Sequence, residues 1–190
     1  KAIDPQHILE EYPRPQMIRD QYINLNGEWN YTVLSKKNTI TKEGTLLVPF
    51  SPEAPLSGAG FQLKPREKML CERLLSVKCL PSDGSRCILH FGAVDQYAKV
   101  LVNGKVVVSH IGGYLPFSAD ITDALQEGCN TLTVHIEDRS DTSYHSVGKQ
   151  KLKRGGMFYT AQSGIWQTVW MEWVPAVYVK KLELTPLYEK

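Results

Sequence analysis

The chain has 190 residues, and its 22 Lys and Arg residues nearly balance its 20 Asp and Glu residues, for a formal net charge of +2. This balance gives no electrostatic basis for binding nucleic acid or an anionic membrane surface. No apolar run approaches the roughly 20 residues that span a bilayer, and the first residues lack the apolar core of a signal peptide. The length predicts one domain with a substantial core.

The first segment, residues 1–20, is predicted to be an extended arm on the surface. Pro13 and Pro15 lie within it. Proline lacks a backbone N–H group and cannot complete the hydrogen bonds of a sheet, so this segment should not form regular strands.

Most of the remaining chain shows the pattern of short β-strands. Apolar and polar residues alternate with a period of two, which is typical of a half-buried strand, and turns rich in Gly and Pro separate the runs. The predicted strands cover residues 29–34, 45–48, 68–80, 87–91, 95–102, 105–108, 131–137, 165–173 and 177–184. No long amphipathic helix and no repeat interrupts them. The pattern therefore predicts an all-β protein, an antiparallel β-sandwich.

The clearest local signal is a hairpin around Asn103-Gly104. This pair separates two β-rich runs, residues 95–102 and 105–108. Asn-Gly suits a type I′ turn because both central residues need a positive φ. A Gly-rich loop, Gly112-Gly113, should follow the second strand and carry Tyr114.

Two long segments, residues 49–60 and 138–156, lack any core pattern and are predicted to be loops. The first is rich in Pro and Gly, and the second is polar and basic. The cations that precede its two adjacent glycines are Lys149, Lys151, Lys153 and Arg154. Loops of this length in compact domains are often functional.

Two pairs of aspartates are close in sequence and could in principle perform acid/base chemistry. Asp120 is interpreted as the N-cap of one helical turn, with Asp123 three residues later. Asp138 and Asp141 are interpreted as solvated loop groups, because nothing predicts the burial that would raise a carboxylate pKa. A structural calcium ion at such loop aspartates is a weaker alternative.

Four cysteines, at positions 71, 79, 87 and 129, show no metal-binding spacing. None forms a C-x-x-C pair, which argues against a zinc site. Disulfide-stapled domains are denser in cysteine than this chain. We therefore expect buried free thiols in strands, no metal, and a cytoplasmic location in preference to a secreted or periplasmic one, which both stay open.

Aromatic residues and histidines in the predicted strands are interpreted as structural. Trp166 and Trp170 should share one face of a strand and Trp173 the other, and such residues belong to the core more often than to a sugar platform. His90 and His135 lie within strands and are expected to be packed or hydrogen-bonded.

Three parts of the chain together resemble a known family. The segment at residues 91–122 contains F-G-A-V-D, V-N-G-K and H-I-G-G-Y-L-P-F-S-A-D-I-T; Y-P-R-P-Q-M and L-N-G-E-W precede it, and S-G-I-W-Q-T-V-W-M-E follows at residues 163–172. In this order they resemble the N-terminal sugar-binding domain of glycoside hydrolase family 2, which contains β-galactosidases, β-glucuronidases and β-mannosidases. The resemblance implies a jelly roll of the galactose-binding type over residues 1–180. It also implies that residues 181–190 begin the linker to an immunoglobulin-like domain.

The resemblance implies that the catalytic residues lie outside this chain. Family 2 enzymes hydrolyse glycosides with two carboxylates, one acid/base and one nucleophile, on a TIM barrel beyond two β domains. A barrel needs roughly 200 residues, and this chain has no alternating βα pattern. We therefore expect a non-catalytic domain of a retaining β-glycosidase, with no cofactor, that shapes the rim of the active site. Its partners would be a carbohydrate and the downstream immunoglobulin-like and barrel domains.

A loop that lines the sugar pocket precedes the S-G-I segment in members of this family. Some members carry a substrate-contacting aspartate there, whereas this chain has no carboxylate between Lys149 and Gln162. Phe158, Tyr159 and Gln162 are the predicted substitutes. Lys149 and Arg154 are candidates for contacting an acidic sugar.

Two other functions stay open. The chain could be a free-standing carbohydrate-binding module, or a purely structural interaction domain without sugar affinity. An exposed apolar patch, left where neighbouring domains had packed, would favour the enzyme-domain and structural hypotheses over the module.

Overall fold

Fourteen β-strands and four short 3₁₀-helices form the regular structure of residues 4–188, the part of the chain that this computed structural model describes. The strands are β1 (Tyr22–Asn24), β2 (Gly27–Leu34), β3 (Ile40–Val48), β4 (Lys68–Val77), β5 (Arg86–Phe91), β6 (Val94–Asp95), β7 (Tyr97–Val102), β8 (Lys105–Ile111), β9 (Phe117–Asp120), β10 (Gly128–Glu137), β11 (Gln150–Lys151), β12 (Tyr159–Thr160), β13 (Gly164–Ile165) and β14 (Val169–Val174). The 3₁₀-helices cover Pro15–Met17, Pro55–Ser57, Thr122–Ala124 and Ser140–Thr142. Within residues 4–188 no helix is long and apolar enough to cross a membrane.

Two antiparallel sheets share one hydrophobic core. The larger has the strand order β3-β2-β4-β10-β7-β8, and the smaller has the order β1-β14-β5-β9. Alternation decides which side chains enter the core: in β10, Leu132, Val134 and Ile136 are fully buried, while the residues between them face outward. Phe91 and Met171 come from the smaller sheet. The predicted antiparallel β-sandwich, a jelly roll of the galactose-binding type, is confirmed.

The predicted hairpin is present between β7 and β8. Asn103 and Gly104 have φ values of 51° and 78°, the left-handed conformations that a type I′ turn requires. The Asn103 side chain also donates a hydrogen bond to Asn130 Oδ1 at 2.7 Å and accepts one from the Thr131 N–H group at 2.9 Å. The turn is therefore tied to β10 as well as closing its own hairpin.

The predicted strand over residues 165–173 is interrupted. Ile165 ends β13, which pairs with β6, and β14 begins only at Val169. Trp166 lies in the interruption and donates its indole N–H to the Gly113 carbonyl at 2.8 Å. Trp170 is buried in β14 and stacks on His90, so the predicted shared face of the two tryptophans is wrong. The alternating pattern does not produce one continuous strand here, because residues 164–165 pair with β6 and the Trp166 indole bonds to the Gly113 carbonyl.

The predicted strand over residues 177–184 is also wrong. The structure assigns no strand to residues 175–188, and apolar side chains such as Val177 and Leu184 are exposed. Alternating sequence alone does not form a strand, because the backbone groups need a neighbouring strand to pair with. No strand of the described residues pairs with this segment.

The cysteines differ in part from the expectation of buried thiols. All four are free, but only Cys71 and Cys87 are buried, whereas Cys79 and Cys129 are exposed. Burial raises the pKa of both buried thiols to about 12. Cys79 is exposed because β4 ends at Val77, before the end of the predicted strand.

Two smaller predictions need correction. The turn that follows β9 is a 3₁₀-helix whose cap position is Ile121, so Asp120 is not the N-cap. Asp120 instead ends β9, accepts a hydrogen bond from the Thr122 N–H group at 3.0 Å, and forms an ion pair with Arg86 at 2.7 Å. His135 points outward from β10 and is exposed, while His90 is packed and hydrogen-bonded as predicted.

Candidate functional site

Two loops, residues 49–63 and 149–163, meet at one end of the sandwich and are joined by Glu53. Its Oε1 accepts hydrogen bonds from the Leu63 N–H group at 3.1 Å and from the Ser163 hydroxyl at 2.7 Å. Its Oε2 accepts one from the Ser163 N–H group at 3.0 Å. Burial raises the pKa of Glu53, and the hydrogen bonds oppose that shift. One carboxylate thus fixes the position of both loops.

Gln162 provides a second connection between the loops. Its side-chain carbonyl accepts a hydrogen bond from the Ser51 hydroxyl. Its backbone N–H group donates to Gln150 Oε1 at 2.7 Å. The side chain of Gln162 is only partly buried, so it remains available at the surface of the loop.

The loop of residues 149–163 has its own hydrogen-bonded structure. Strands β11 and β12 pair in parallel, and the Tyr159 N–H group donates to the Lys149 carbonyl at 2.8 Å. At the tip, Gly155 and Phe158 exchange two backbone hydrogen bonds. Pairing of this kind holds the side chains of the loop in fixed relative positions.

Three of the five predicted sugar-contacting residues line one cavity. Lys149, Tyr159 and Gln162 line a space of about 440 Å³ together with Gln150 and Thr160; we call this space the rim cavity. The Tyr159 side chain is 71% exposed, so its ring is open to a ligand. The space is an open groove at the surface of the loop, with a volume that a single sugar ring could occupy.

Phe158, a fourth predicted residue, does not line the rim cavity. The Lys151 ammonium group lies 3.9 Å from the centre of its ring, a cation–π contact. The ring of Phe158 is therefore occupied by a cation of the same loop.

A second cavity of about 450 Å³ adjoins the rim cavity; we call it the side cavity. Its lining comes from both loops and consists of Glu53, Pro55, Gly60, Phe61, Gln62, Leu152, Arg154 and Thr160. Thr160 also lines the rim cavity, so the two spaces adjoin at strand β12. The structure thus separates the two predicted cations: Lys149 lines the rim cavity and Arg154 the side cavity.

Asp138 and Asp95 are buried carboxylates; sequence analysis misjudged the first and did not single out the second. Asp138 was interpreted as a solvated loop group, but it is 4% exposed and accepts a hydrogen bond from the Ser140 N–H group at 2.6 Å. Asp95 is 6% exposed, and burial, with smaller contributions from the charges of Asp138 and Glu53, raises its pKa to about 7. A Cβ atom at Gly113 would collide with its carboxylate, so glycine is required for this close approach.

No group of three or more His, Cys, Asp or Glu side chains within residues 4–188 is arranged to hold a metal ion. The calcium alternative for the loop aspartates therefore receives no support from their arrangement. The Asp138 carboxylate instead caps the backbone of the turn that follows it.

A second buried ionic group, which no sequence pattern indicated, fastens the N-terminal arm. Glu172 in β14 is 1% exposed. It forms an ion pair with Arg14, accepts a hydrogen bond from Tyr12 at 2.6 Å, and contacts His90 at 3.0 Å and Arg19 at 3.3 Å. Burial opposes ionisation, but the hydrogen bonds from His90, Tyr12 and Arg14 outweigh it and lower the pKa of Glu172 to about 2.

Large apolar side chains are exposed on several loops. Tyr114 and its neighbour Leu115 follow the Gly-rich loop, Tyr144 lies in the segment after β10, and Met157 lies at the tip of the 149–163 loop. Their exposed fractions range from 41% for Tyr114 to 90% for Tyr144. Exposed apolar surface of this kind is typical of sites that contact another domain or a ligand.

Comparison with known families gives one match that covers more than half of the chain. The model described as "Glycosyl hydrolases family 2, sugar binding domain" matches residues 71–175. Among curated proteins, the β-glucuronidase of Homo sapiens is 30% identical over 124 residues, covering 56% of this chain and 19% of that protein. The β-galactosidase of Thermoanaerobacter pseudethanolicus is 31% identical over 99 residues, covering 51% of this chain and 12% of that protein. The chain thus spans less than a fifth of the length of either relative.

Solved structures give the same fold. The β-glucuronidase of Dictyoglomus thermophilum superposes with a TM-score of 0.63 at 21% identity, covering 92% of this chain and 32% of that one. The β-glucuronidase of Bifidobacterium dentium, solved with coumarin-3-O-glucuronide, gives a TM-score of 0.61 at 23% identity, covering 84% of this chain and 31% of that one. Both are longer chains, of which this chain matches about a third.

Proposed function

The chain belongs to the sugar-binding domain family of the family 2 glycosyl hydrolases, and from this premise we propose that it is the non-catalytic amino-terminal domain of a retaining β-glycosidase. The observation that carries the proposal is the rim cavity. Lys149, Tyr159 and Gln162 were selected from the sequence as sugar-contacting residues, and all three line one space of about 440 Å³. The family match supports carbohydrate as the ligand.

In the complete enzyme, the loop of residues 149–163 borders the sugar pocket of a downstream TIM barrel, which follows an immunoglobulin-like domain. The barrel supplies the acid/base and nucleophilic carboxylates. We place the jelly roll at residues 1–180 and the start of the linker at residues 181–190, of which residues 1–3 and 189–190 lie outside the described part of the chain. The end of regular structure at Val174, followed by a segment with exposed apolar side chains, supports a boundary in this region.

The residues of this chain bind and orient the sugar. The Gln162 amide can exchange hydrogen bonds with hydroxyl groups, and the exposed Tyr159 ring can pack against the apolar C–H face of a pyranose. Holding the sugar in a fixed orientation relative to the catalytic carboxylates accelerates the reaction by removing its translational and rotational freedom.

We propose an acidic sugar, a β-linked uronic acid, as the substrate class. Lys149 provides a positive charge at the rim cavity, and the sequence between Lys149 and Gln162 contains no carboxylate that would repel an anion. An ammonium group forms a charge-assisted hydrogen bond with a carboxylate. Several relatives of this chain are named β-glucuronidases, which agrees with this chemistry.

The test compares this chain with a longer protein that extends to the natural stop of the gene. Both are assayed against aryl β-glucuronide, β-galactoside, β-mannoside and β-glucoside. We expect hydrolysis by the longer protein alone, with the glucuronide as the best substrate. In the longer protein, Lys149→Ala should lower kcat/KM for the glucuronide by about tenfold, whereas Lys36→Ala, an exposed lysine in the turn after β2, should not.

Failure of the longer protein to cleave any of the four glycosides would count against the enzyme-domain function. Glycan binding without hydrolysis would then indicate a carbohydrate-binding module. Absence of both would indicate a structural interaction domain.

A further inference from the structure

The side cavity contains the chemical groups of a sugar site, and apart from Thr160 its lining residues differ from those of the rim cavity. It has an aromatic wall, Phe61, an amide, Gln62, and a cation, Arg154. The rim cavity has the same three kinds of group in Tyr159, the two glutamines at 150 and 162, and Lys149. An aromatic face with a few polar groups is the usual lining of a small-ligand site.

The aromatic wall of the side cavity, Phe61, is held by neighbours of the larger sheet. The Lys42 ammonium group lies 5.9 Å from the centre of its ring, farther than the 3.9 Å separation of the cation–π contact at Phe158. The Tyr31 ring lies 5.1 Å from the Phe61 ring, centre to centre, and Tyr31 itself is buried in β2. The backbone N–H group of Phe61 donates to the Pro52 carbonyl at 3.2 Å. A ring fixed in this way loses little conformational freedom when a ligand packs against it.

Arg154 gives the side cavity a positive charge that no carboxylate of residues 4–188 pairs with. Its Nη1 lies 3.5 Å from the Thr160 hydroxyl, which directs the guanidinium toward the wall between the two cavities. A guanidinium binds a carboxylate through two parallel hydrogen bonds, a geometry that a lysine cannot provide. Glu53, the other ionisable group of this cavity, already accepts three hydrogen bonds from the protein.

We propose that the side cavity is a second carbohydrate subsite, which holds the uronic acid unit adjacent to the one in the rim cavity. The domain would therefore recognise an acidic oligosaccharide of at least two sugar units. Thr160, which lines both cavities, marks the crossing between the two subsites. This inference rests on the proposed function, because it assumes that the rim cavity holds a sugar.

The test measures binding of one-unit and two-unit uronides to the natural full-length gene product by calorimetry. The probes are β-linked and joined through sulfur, so that a glycosidase does not cleave them, and a neutral two-unit glucoside of the same linkage serves as a comparison. We expect the two-unit uronide to bind about tenfold more tightly than the one-unit uronide. The neutral two-unit probe should bind more weakly than the acidic one.

Variants separate the two subsites. Arg154→Ala should abolish the tenfold gain and leave one-unit binding unchanged, and Arg154→Lys should restore only part of the gain because lysine lacks the planar fork. Lys153 carries the same charge one residue away and lines neither cavity. Lys153→Ala should therefore leave the affinity for both uronides unchanged. Lys149→Ala should weaken binding of both uronides.

Each result bears on a different proposal. Equal affinity for the two uronides, or a gain that survives Arg154→Ala, would overturn the second subsite while leaving the rim cavity intact. Failure of both uronides and of the neutral probe to bind would overturn the proposed function, and the second subsite with it.

Discussion

The Glu53 carboxylate binds both the hydroxyl and the backbone N–H group of Ser163, at 2.7 and 3.0 Å. The two residues are 110 positions apart in the sequence, and each belongs to one of the loops that line the cavities. A third hydrogen bond, from the Leu63 N–H group, completes the environment of the carboxylate. The geometry of the candidate site therefore depends on a buried acceptor that is not itself one of the predicted sugar-contacting residues.

Replacing Glu53 with glutamine should destabilise the protein by about 1–3 kcal/mol, because an amide NH₂ group would face backbone donors that need an acceptor. The measurement is urea unfolding at neutral pH. Glu43→Gln, at an exposed position in β3, is the matched control and should change stability by less than about 0.5 kcal/mol. An unchanged unfolding midpoint for Glu53→Gln would show that the connection between the loops does not need the carboxylate.

Glu172→Gln should be more costly than Glu53→Gln. The substitution leaves the guanidinium groups of Arg14 and Arg19 without their partner, and breaking a buried pair in this way costs about 3–5 kcal/mol. We expect a lower unfolding temperature and faster proteolysis in the arm of residues 4–20. Cleavage of the arm at the same rate in both proteins would indicate that this ion pair does not hold the arm to the sandwich.

Lowering the pH should remove the contribution of Glu172 to the stability of the folded protein. The pKa of Glu172 is lowered from 4.5 to about 2 in the folded protein, so its contribution to stability is present above pH 4.5 and is lost as the pH falls from 4.5 toward 2. Unfolding free energies of the unaltered protein and of Glu172→Gln, measured across this range, should converge as the pH falls. Parallel curves would contradict the lowered pKa.

Strand alternation and turn chemistry made much of the fold predictable from sequence. The hairpin at Asn103-Gly104 needs a positive φ at both residues, and Asn and Gly are the residue types that adopt it most readily. The failures arose where long-range partners decided the outcome. Trp166 leaves the strand pattern to donate a hydrogen bond to Gly113, 53 residues away, and residues 177–184 alternate without a strand to pair with.

The candidate site was also predictable where local sequence was enough and unpredictable where distant segments decided the outcome. The residues of one continuous loop, such as Lys149 and Tyr159, were identified from the motif that follows it. Burial of Asp138 and Asp95 depends on how separate segments close over them, and a polar residue in a loop carries no local sign of that burial. Glu53 was missed because Ser163, which donates two of its three hydrogen bonds, lies 110 residues away in the sequence.

Tyr159→Ala should separate ligand binding from stability. The side chain is 71% exposed, so its removal should change the free energy of unfolding by less than about 0.5 kcal/mol. Loss of an aromatic packing surface should weaken uronide binding by about three- to tenfold, corresponding to about 0.5–1.5 kcal/mol. Calorimetry with the one-unit uronide measures the effect, and Tyr144→Ala, a 90% exposed tyrosine that lines neither cavity, is the control. Equal affinity of Tyr159→Ala and the unaltered protein would remove Tyr159 from the site.

Asp95→Asn should stabilise the protein at pH 8 but not at pH 4. The folded protein holds the pKa of Asp95 at about 7, above its ordinary value of 3.8, because burial and the charges of Asp138 and Glu53 disfavour the ionised form. Below pH 3.8 the carboxyl group is protonated in both the folded and unfolded chains, so its ionisation does not affect the free energy of unfolding. Between pH 3.8 and 7 the unfolded chain releases the proton while the folded protein retains it, so the free energy of unfolding falls over this range and stays at the lower value above pH 7. An asparagine, which stays neutral, avoids this cost. The difference between a pKa of 3.8 and one of about 7 corresponds to about 4 kcal/mol, which is the upper bound of the expected gain at pH 8.

Unfolding in urea at pH 4 and pH 8 measures the difference, with Asp20→Asn at an exposed position as the control. Asp20→Asn should leave stability unchanged at both pH values. A change of equal size at pH 4 and pH 8 for Asp95→Asn would trace its effect to packing beside Gly113, because only a titrating carboxylate makes the benefit of the amide depend on pH.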